Sequence, residues 1–590
     1  MKLCINNVKI NSDKQFLHYF EREKEKMKKA TKKLLCLLLV FSVLASAFTG
    51  LAVVSSAEGV KGVKLSETNY GSDIPIIFIH GQGSPILIPQ EDGSVRSDTF
   101  DIDTDKIVSA LTENPDILIK AFVTQDWTEF DNLIVGIMAD IYKDGVLNED
   151  GEVTDGSYTW FGSDKSFCWY KGTPESIADR YDDYDGSLDT FFFEYDWRLD
   201  PLEIMGELES FIDSVLEVTG EKQYAICGRC EGACIALQYL DYYKNKYGSF
   251  DKRLTDVIFN SSAINGVSPL GEALSGELYV DPEGIERFIY DTDLNVNLPV
   301  LGDFVITDTL IRKAITILTD YYGTDLVSWA VNNVYEQIYM NVVPRILRSS
   351  YGAWPGYWAM VGNEYYDRAK QTMFAGQEEK YAKFIEKIDR YHNNISLRSE
   401  EIIKEAMASG IEISNIVKYG KQVVPVIRDS GAQSDLLCLV KNSSWGATTA
   451  DVCKAFDKEY MMNAAKSGTS AYISPDKCID ASTCLLPDTT WFIKGMDHFN
   501  FPKGMDPLIF EIVNKKNFTV FSSKDFPQYL FYDAENDKTV PYIINNMNTP
   551  LDIYRSTVLN SFSKKIKPYF VNVFNALTFV INLLMPKVKS

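Results

Sequence analysis

Cys230 stands in the run Gly228-Arg229-Cys230-Glu231-Gly232, a thiol with a glycine two positions before it and another two positions after. Where a strand turns directly into a helix, those two positions have little room for a Cβ, and the residue between them is lifted above the sheet. A thiol held there sits at a helix N-terminus, whose partial positive charge lowers its pKa and favours the attacking thiolate. The backbone N–H of Glu231 faces the same space, where it can stabilise a developing oxyanion. As a bare pattern G-x-C-x-G is weak; its strand and helix flanks give it weight.

A second stretch, His80-Gly81-Gln82-Gly83, follows an apolar strand. Glycines there allow the backbone to approach closely, and the N–H of Gln82 is the candidate second oxyanion donor. His80 reads as a support for this loop rather than a base. The base emerges by elimination among four histidines. His18 lies in a precursor segment, His80 in the loop and His392 in a polar helical stretch, which leaves His498 near the end of the fold. Nucleophile first and histidine last is the chain order of a hydrolase triad. The acid is expected in Ser474 to Ser482, with Asp476 first and Asp480 second, and the residues do not decide between them.

The same residues have rival uses. Cys227-Gly228-Arg229-Cys230 is also a C-x-x-C, the pattern of a thiol–disulfide site, but such a unit needs neither the histidine–glycine loop nor His498. Zinc on Cys227, Cys230 and Cys234 lacks a fourth ligand nearby. A Cys227–Cys230 disulfide would silence the nucleophile, so activity is expected to depend on reductant. Cys478 and Cys484 could pair, though spacing alone does not say so. The acidic run Asp144-Gly145 through Asn148, Asp150, Glu152 and Asp155 lacks EF-hand spacing and reads as a polar turn. Neither a metal nor a cofactor is expected.

The elements that must carry these residues are readable from periodicity. Pro75–Ile79, Thr190–Tyr195, Gln223–Cys227 and Val257–Asn260 are short apolar runs of buried-strand type. Leu208, Phe211, Ile212, Val215 and Leu216 recur on one helical face, and a second helix runs from Ala233 to Tyr243. Strand–helix–strand alternation implies a parallel sheet covered on both faces. Between the first two strands lies a mixed insertion, about 84–187. Residues 277 to about 430 break the alternation and are rich in aromatics (Tyr321, Tyr322, Trp329, Tyr335, Trp354, Tyr357, Trp358), so they read as an inserted helical cap. The sheet is expected to resume at Leu436–Val440 and Trp491–Lys494.

The chain has 590 residues, 45% of them hydrophobic, with 82 acidic against 59 basic and a formal charge of −23. That length supports a large core, and the acidic balance argues against nucleic acid as a partner. Met27 opens a basic stretch, an apolar run from Leu34 to Ala47 and small residues suited to signal peptidase, so residues 1–57 read as a precursor extension and secretory signal peptide. Residues 1–26 look like an over-extended start. The protein is therefore expected to be secreted or associated with the cell surface. Near the other end, lysines flank an apolar stretch from Tyr569 to Met585, interrupted by asparagines. Residues 564–590 fit an amphipathic helix at a membrane surface or one packed on the protein itself. Residues 58–563 make up the main domain.

Phe193-Glu194-Tyr195-Asp196-Trp197-Arg198-Leu199-Asp200-Pro201 resembles the lecithin:cholesterol acyltransferase family of lipases and acyltransferases, which has a similar Tyr-Asp-Trp-Arg element between its oxyanion loop and its elbow. The resemblance runs from about Ile74 to Gly276, including Ile264-Asn265-Gly266-Val267, and returns loosely from Asp476 to His498. It implies an α/β-hydrolase fold with a mostly parallel sheet and a lid, and a lipid or other acyl-ester substrate. It also implies acyl transfer to water or an alcohol. The family's nucleophile is serine; here that position is Cys230, flanked by Arg229 and Glu231. Cysteine elbows occur among dienelactone hydrolases and polyhydroxyalkanoate synthases, so this departure is compatible with catalysis. Two functions of different class follow: an acyl-ester hydrolase or acyltransferase working through an acyl-enzyme, or a catalytically silent protein that keeps the fold and binds lipid or a surface partner.

Overall fold

The computed structural model describes most of residues 72–98, 110–159, 190–288 and 336–544, two short strands at Leu298–Pro299 and Val305–Ile306, and Thr549. The signal-like segment, the apolar stretch Tyr569 to Met585, Gly83 and the aromatics Tyr321, Tyr322, Trp329 and Tyr335 lie outside these residues. Among the described residues, no helix is long and apolar enough to cross a membrane.

Eight strands form the central sheet: β1 (Ile76–Ile79), β2 (Thr190–Phe193), β3 (Tyr224–Arg229), β4 (Leu254–Asn260), β5 (Glu412–Tyr419), β6 (Thr490–Lys494), β7 (Tyr529–Asp533) and β8 (Lys538–Pro541). Their order across the sheet is β8-β7-β6-β5-β4-β3-β1-β2. All neighbours are parallel except the terminal β7–β8 hairpin. The strand order, with the elbow at the end of β3, is that of an α/β-hydrolase fold.

Alternate side chains of each inner strand go to opposite faces, and both faces are apolar, as a sheet covered on two sides requires. Ile77, Ile79, Phe191, Phe193 and Ile226 join one core, while Ile76, Phe78, Phe192, Ala225 and Cys227 join the other. The first core is covered by α1 (Pro201–Thr219) and α2 (Glu231–Tyr247), and the second by α3 (Asp506–Asn514). The periodic face expected in α1 is its buried face: Leu208, Phe211, Ile212, Val215 and Leu216 are all buried. Asp200 caps α1 by accepting from Leu202 N–H at 3.1 Å, and Gly220 ends it in the left-handed region.

Two expectations about the later elements need correction. Leu436–Val440 is not a strand; it is a buried loop that enters the short helix Val440–Ser443. The strand of that region is β5, inside the stretch read as cap. It pairs with β4 on one side and β6 on the other. Its apolar pattern is interrupted by the buried polar residues Ser414, Asn415 and Lys418, and so it lacks the look of a core strand; Asn415 donates to the Ser443 carbonyl and Lys418 to the Asp497 carbonyl.

The Tyr-Asp-Trp-Arg turn after β2 ties three parts of the molecule together. Tyr195 Oη donates to the His80 carbonyl at 2.7 Å, which fixes the loop after β1. The fully buried Arg198 grips Asp196 through Nε and Nη2 at 2.9 and 2.6 Å and also donates to the Gly145 carbonyl, to Ser157 Oγ and to the Ser157 carbonyl. Trp197 stacks on Tyr357 with centroids 6.0 Å apart and meets Trp354 edge-on at 5.2 Å, docking the cap residues 351–360 on the turn. The acidic run beside it is a turn held by its own groups: Asp155 accepts from Gly145 and Ser157 N–H, and Asn148 accepts from Asp150 and Glu152 N–H.

Candidate active site

Cys230 lies between β3 and α2 with φ 55° and ψ −120°, a conformation that costs a non-glycine residue on the order of 1–3 kcal/mol. The surroundings that hold it there are glycines. A Cβ on Gly228 would fall 2.5 Å from the Gly232 carbonyl oxygen, and one on Gly232 would fall 2.1 Å from that of Ile79. Strand β3 can therefore turn into α2 against β1 only with both glycines. Gly81 meets Cys230 directly, since its Cβ would lie 2.6 Å from Cys230 Cβ. Gly81→Ala is expected to displace the thiol and lower kcat by about 100-fold, because misplacement by an ångström costs that much. Thermal melting alongside steady-state kinetics checks it: a stable variant with unchanged kcat contradicts the placement.

Cys230, Gly81, Gln82, Arg229 and His498 line one cavity together with Val267, Leu270, Tyr357, Met360 and Leu437. Its volume of about 20 Å³ holds roughly one water. The apolar walls, Tyr357 and Met360 among them, suit an acyl group.

His498 is buried and fixed through both its main chain and its ring. Its backbone N–H donates to the Asp435 carbonyl at 2.7 Å, its Nδ1 donates to Asp435 Oδ2 at 2.8 Å, and its carbonyl accepts from Arg229 Nη2 at 2.5 Å. With Nδ1 held by a carboxylate, Nε2 is the nitrogen left for proton transfer. Asp435 follows β5, and its Oδ1 accepts from the Leu437 and Cys438 N–H groups at 3.1 and 2.7 Å, which fixes the carboxylate plane.

The acid beside His498 is therefore Asp435, not Asp476 or Asp480. Asp476 forms a buried ion pair with Lys494 Nζ at 2.9 Å and accepts from Ser474 Oγ at 2.7 Å. Asp480 caps a short turn through Ser482 N–H at 2.9 Å and accepts from Tyr460 Oη at 2.9 Å. Both are carboxylates with structural partners. The sequence does not single out Asp435, because the apolar run after it imitates a strand. The signal that could have found it was chain order, an acid just beyond the strand that precedes the histidine's own.

Asp476 carries a stability prediction instead. Burial would raise its pKa, but Lys494 and the Ser474 and Cys478 donors outweigh burial and hold it below the usual carboxylate range. Such a group stabilises the fold fully above the ordinary carboxylate pKa, and that contribution is lost as pH falls through the depressed value. Asp476→Asn, which removes one partner of a buried pair, is expected to cost about 3 kcal/mol by urea denaturation. A variant as stable as the wild type contradicts the pairing.

The electrostatics of the site favour an ion pair. Burial alone would raise the Cys230 pKa, but the His498 imidazole, Arg229 and the Glu231 N–H outweigh it and the thiol is lowered. Burial alone would lower His498, but Asp435, Cys230 and Cys438 raise it well above the ordinary histidine value. Asp435 is lowered, as His498, Lys418 and the Cys438 N–H overcome its burial. The Glu231 N–H favours the thiolate, as the elbow requires, while burial pushes the Glu231 carboxyl well up.

The remaining expected residues fall as follows. His80 is buried, donates from Nδ1 to the Gly81 carbonyl at 2.5 Å and stacks between Phe192 and Tyr195, a support for the loop. His392 is buried against the Tyr366 ring. Cys227 and Cys230 are both free and join cores on opposite faces of the sheet, and Cys478 and Cys484 are also free. Among the described residues, one group of donors could hold a metal: Asp435, Cys438 and His498, with ligand atoms within 4.8 Å of one another. Of these, Asp435 and His498 are already bonded to each other through Oδ2 and Nδ1.

No family model matches the chain, and no curated protein matches it. Similar solved structures include the Tle4–Tli4 complex, at TM-score 0.21 and 11% identity over 58% of this chain and 74% of that one. A second is Kex1Δp, a prohormone-processing carboxypeptidase from Saccharomyces cerevisiae, at TM-score 0.17 and 11% identity over 62% and 71%. A third is a serine hydrolase from the polyaromatic-hydrocarbon-degrading bacterium Cycloclasticus zankles, at TM-score 0.15 and 10% identity over 61% and 77%. At these scores the α/β-hydrolase fold rests on the chain's own strand order and elbow.

Proposed function

We propose that this protein is an exported acyl-ester hydrolase or acyltransferase acting on lipid-like esters through Cys230, His498 and Asp435. The observation that carries the reading is the row itself. A thiol on a strained elbow shares a small apolar cavity with a buried imidazole, and a buried carboxylate 2.8 Å away holds that imidazole's far nitrogen.

In this reading the Cys230 thiolate attacks the acyl carbon and the oxyanion is held by the Gln82 and Glu231 N–H groups. His498 then gives its proton to the leaving alcohol as the tetrahedral adduct collapses to a thioester. Water or another alcohol, deprotonated by His498, attacks the thioester and releases Cys230. Asp435 keeps the proton on Nδ1 throughout. Substrate entry requires this tight cavity to widen, because as it stands it admits about one water.

That closure is also what favours the second reading, a silent lipid- or surface-binding protein. A panel of p-nitrophenyl esters of increasing chain length, run with and without detergent or vesicles, separates the two. The enzyme reading expects turnover that rises when an interface is present and is lost after iodoacetamide treatment. No turnover on any ester, with Cys230 inert to iodoacetamide, supports the binder. Export and membrane-surface association through residues 564–590 belong to the same proposal, supported by the order of basic, apolar and small residues and by the flanking lysines.

A further inference from the structure

Two cations stand behind the row, and the reaction outlined above uses neither. Lys418, near the end of β5, is buried, and its Nζ donates to the Asp497 carbonyl at 3.1 Å and the His498 carbonyl at 3.4 Å. Arg229, the residue before the nucleophile, donates to the same His498 carbonyl at 2.5 Å. One carbonyl is thus gripped from the nucleophile's strand and from the acid's strand. An ammonium inside a sheet is costly unless something nearby gains from its charge.

We propose that Lys418, acting with Arg229, is a positioning residue of the Cys230 site, which holds the His498 main chain in place and supplies the positive field that keeps the nucleophile ionised. This rests on the catalytic reading of Cys230. It gives a physical reason for cysteine at this elbow, since a serine hydroxyl stays neutral at rest and gains nothing from two cations, whereas a thiolate does.

The groups facing Lys418 are Arg229, Asp435, Asp497 and Cys230. Those facing Cys230 include His498, Arg229, Cys438, Cys234, Tyr195, Tyr357 and the Glu231 carboxyl. Burial and Arg229 push the Lys418 ammonium down to about 7, so its support for the thiolate is strongest on the acid side of neutrality.

The test is the pH dependence of Cys230 alkylation by iodoacetamide, with Cys230→Ala as the blank, in the wild type, Lys418→Met and Arg229→Gln. The wild-type inflection is expected below the ordinary thiol value of about 8.5. Lys418→Met is expected to raise it by about one pH unit, a tenfold slower alkylation at pH 6, and to lower kcat on esters with little change in KM. A folded Lys418→Met with the wild-type inflection overturns the proposal and leaves the role of Cys230 standing. A wild-type inflection at the ordinary thiol value overturns both. Should Lys418→Met fail to fold, Arg229→Gln is read in the same way: an upward shift supports the clamp and an unchanged inflection overturns it.

Discussion

Cys230→Ala is expected to reduce ester turnover by about 10⁴-fold, leaving only what the oxyanion donors and the cavity contribute without a nucleophile. The fold should be unaffected. The change removes one sulfur from a site with about one water's worth of space beside it, and alanine's small Cβ fits where the cysteine's already sits. The protein should therefore melt near the wild-type temperature while losing activity. Cys230→Ser separates geometry from ionisation. Serine fits the elbow, yet Arg229 and the high proton affinity of His498 are arranged for a partner that is charged at rest. A serine variant as fast as the wild type would mean that the thiolate is incidental.

The second large effect concerns the acid. Asp435→Asn keeps the Oδ1 that accepts from Leu437 and Cys438 N–H, so the loop should persist. It replaces the Oδ2 that accepts from His498 Nδ1 with an amide donor, which leaves the ring in the wrong tautomer. The expected loss in kcat is about 10³-fold, with KM little changed. Asp480→Asn, which touches only a turn and Tyr460, should leave kcat within about twofold. Steady-state kinetics on the pair decides which carboxylate serves His498; the reverse pattern would return the role to the segment before β6.

The pH profile follows from the same charges. A lowered thiol and a raised imidazole define a window in which both are ionised together, bounded below by protonation of Cys230 and above by deprotonation of His498. The acid limb of kcat/KM should lie below the ordinary thiol value, and the alkaline limb above the ordinary histidine value.

The elbow, the glycine loop after β1 and His498 were legible because close packing leaves few choices of residue. Gly228, Gly232 and Gly81 occupy points where a Cβ would overlap neighbouring atoms, and that demand is visible as glycine in the chain. His498 was legible because only four histidines were available. Asp435 was not, for two linked reasons. Strand β5 carries Asn415 and Lys418 inward, where Asn415 bonds the Ser443 carbonyl and Lys418 the His498 loop, so its pattern lacks the continuous apolar run of a core strand. The run Leu436–Val440, apolar because it is a buried loop, took its place. A strand interrupted for function and a loop filled for burial exchanged appearances, and the acid between them went unseen.

The most direct measurement is intact-protein and peptide mass spectrometry after rapid quenching with a p-nitrophenyl ester. The account predicts an acyl adduct on the peptide containing Cys230, released by neutral hydroxylamine as a thioester is, and absent in Cys230→Ala. Turnover with the acyl group found on another residue, or turnover that persists undiminished without the Cys230 sulfur, would contradict it.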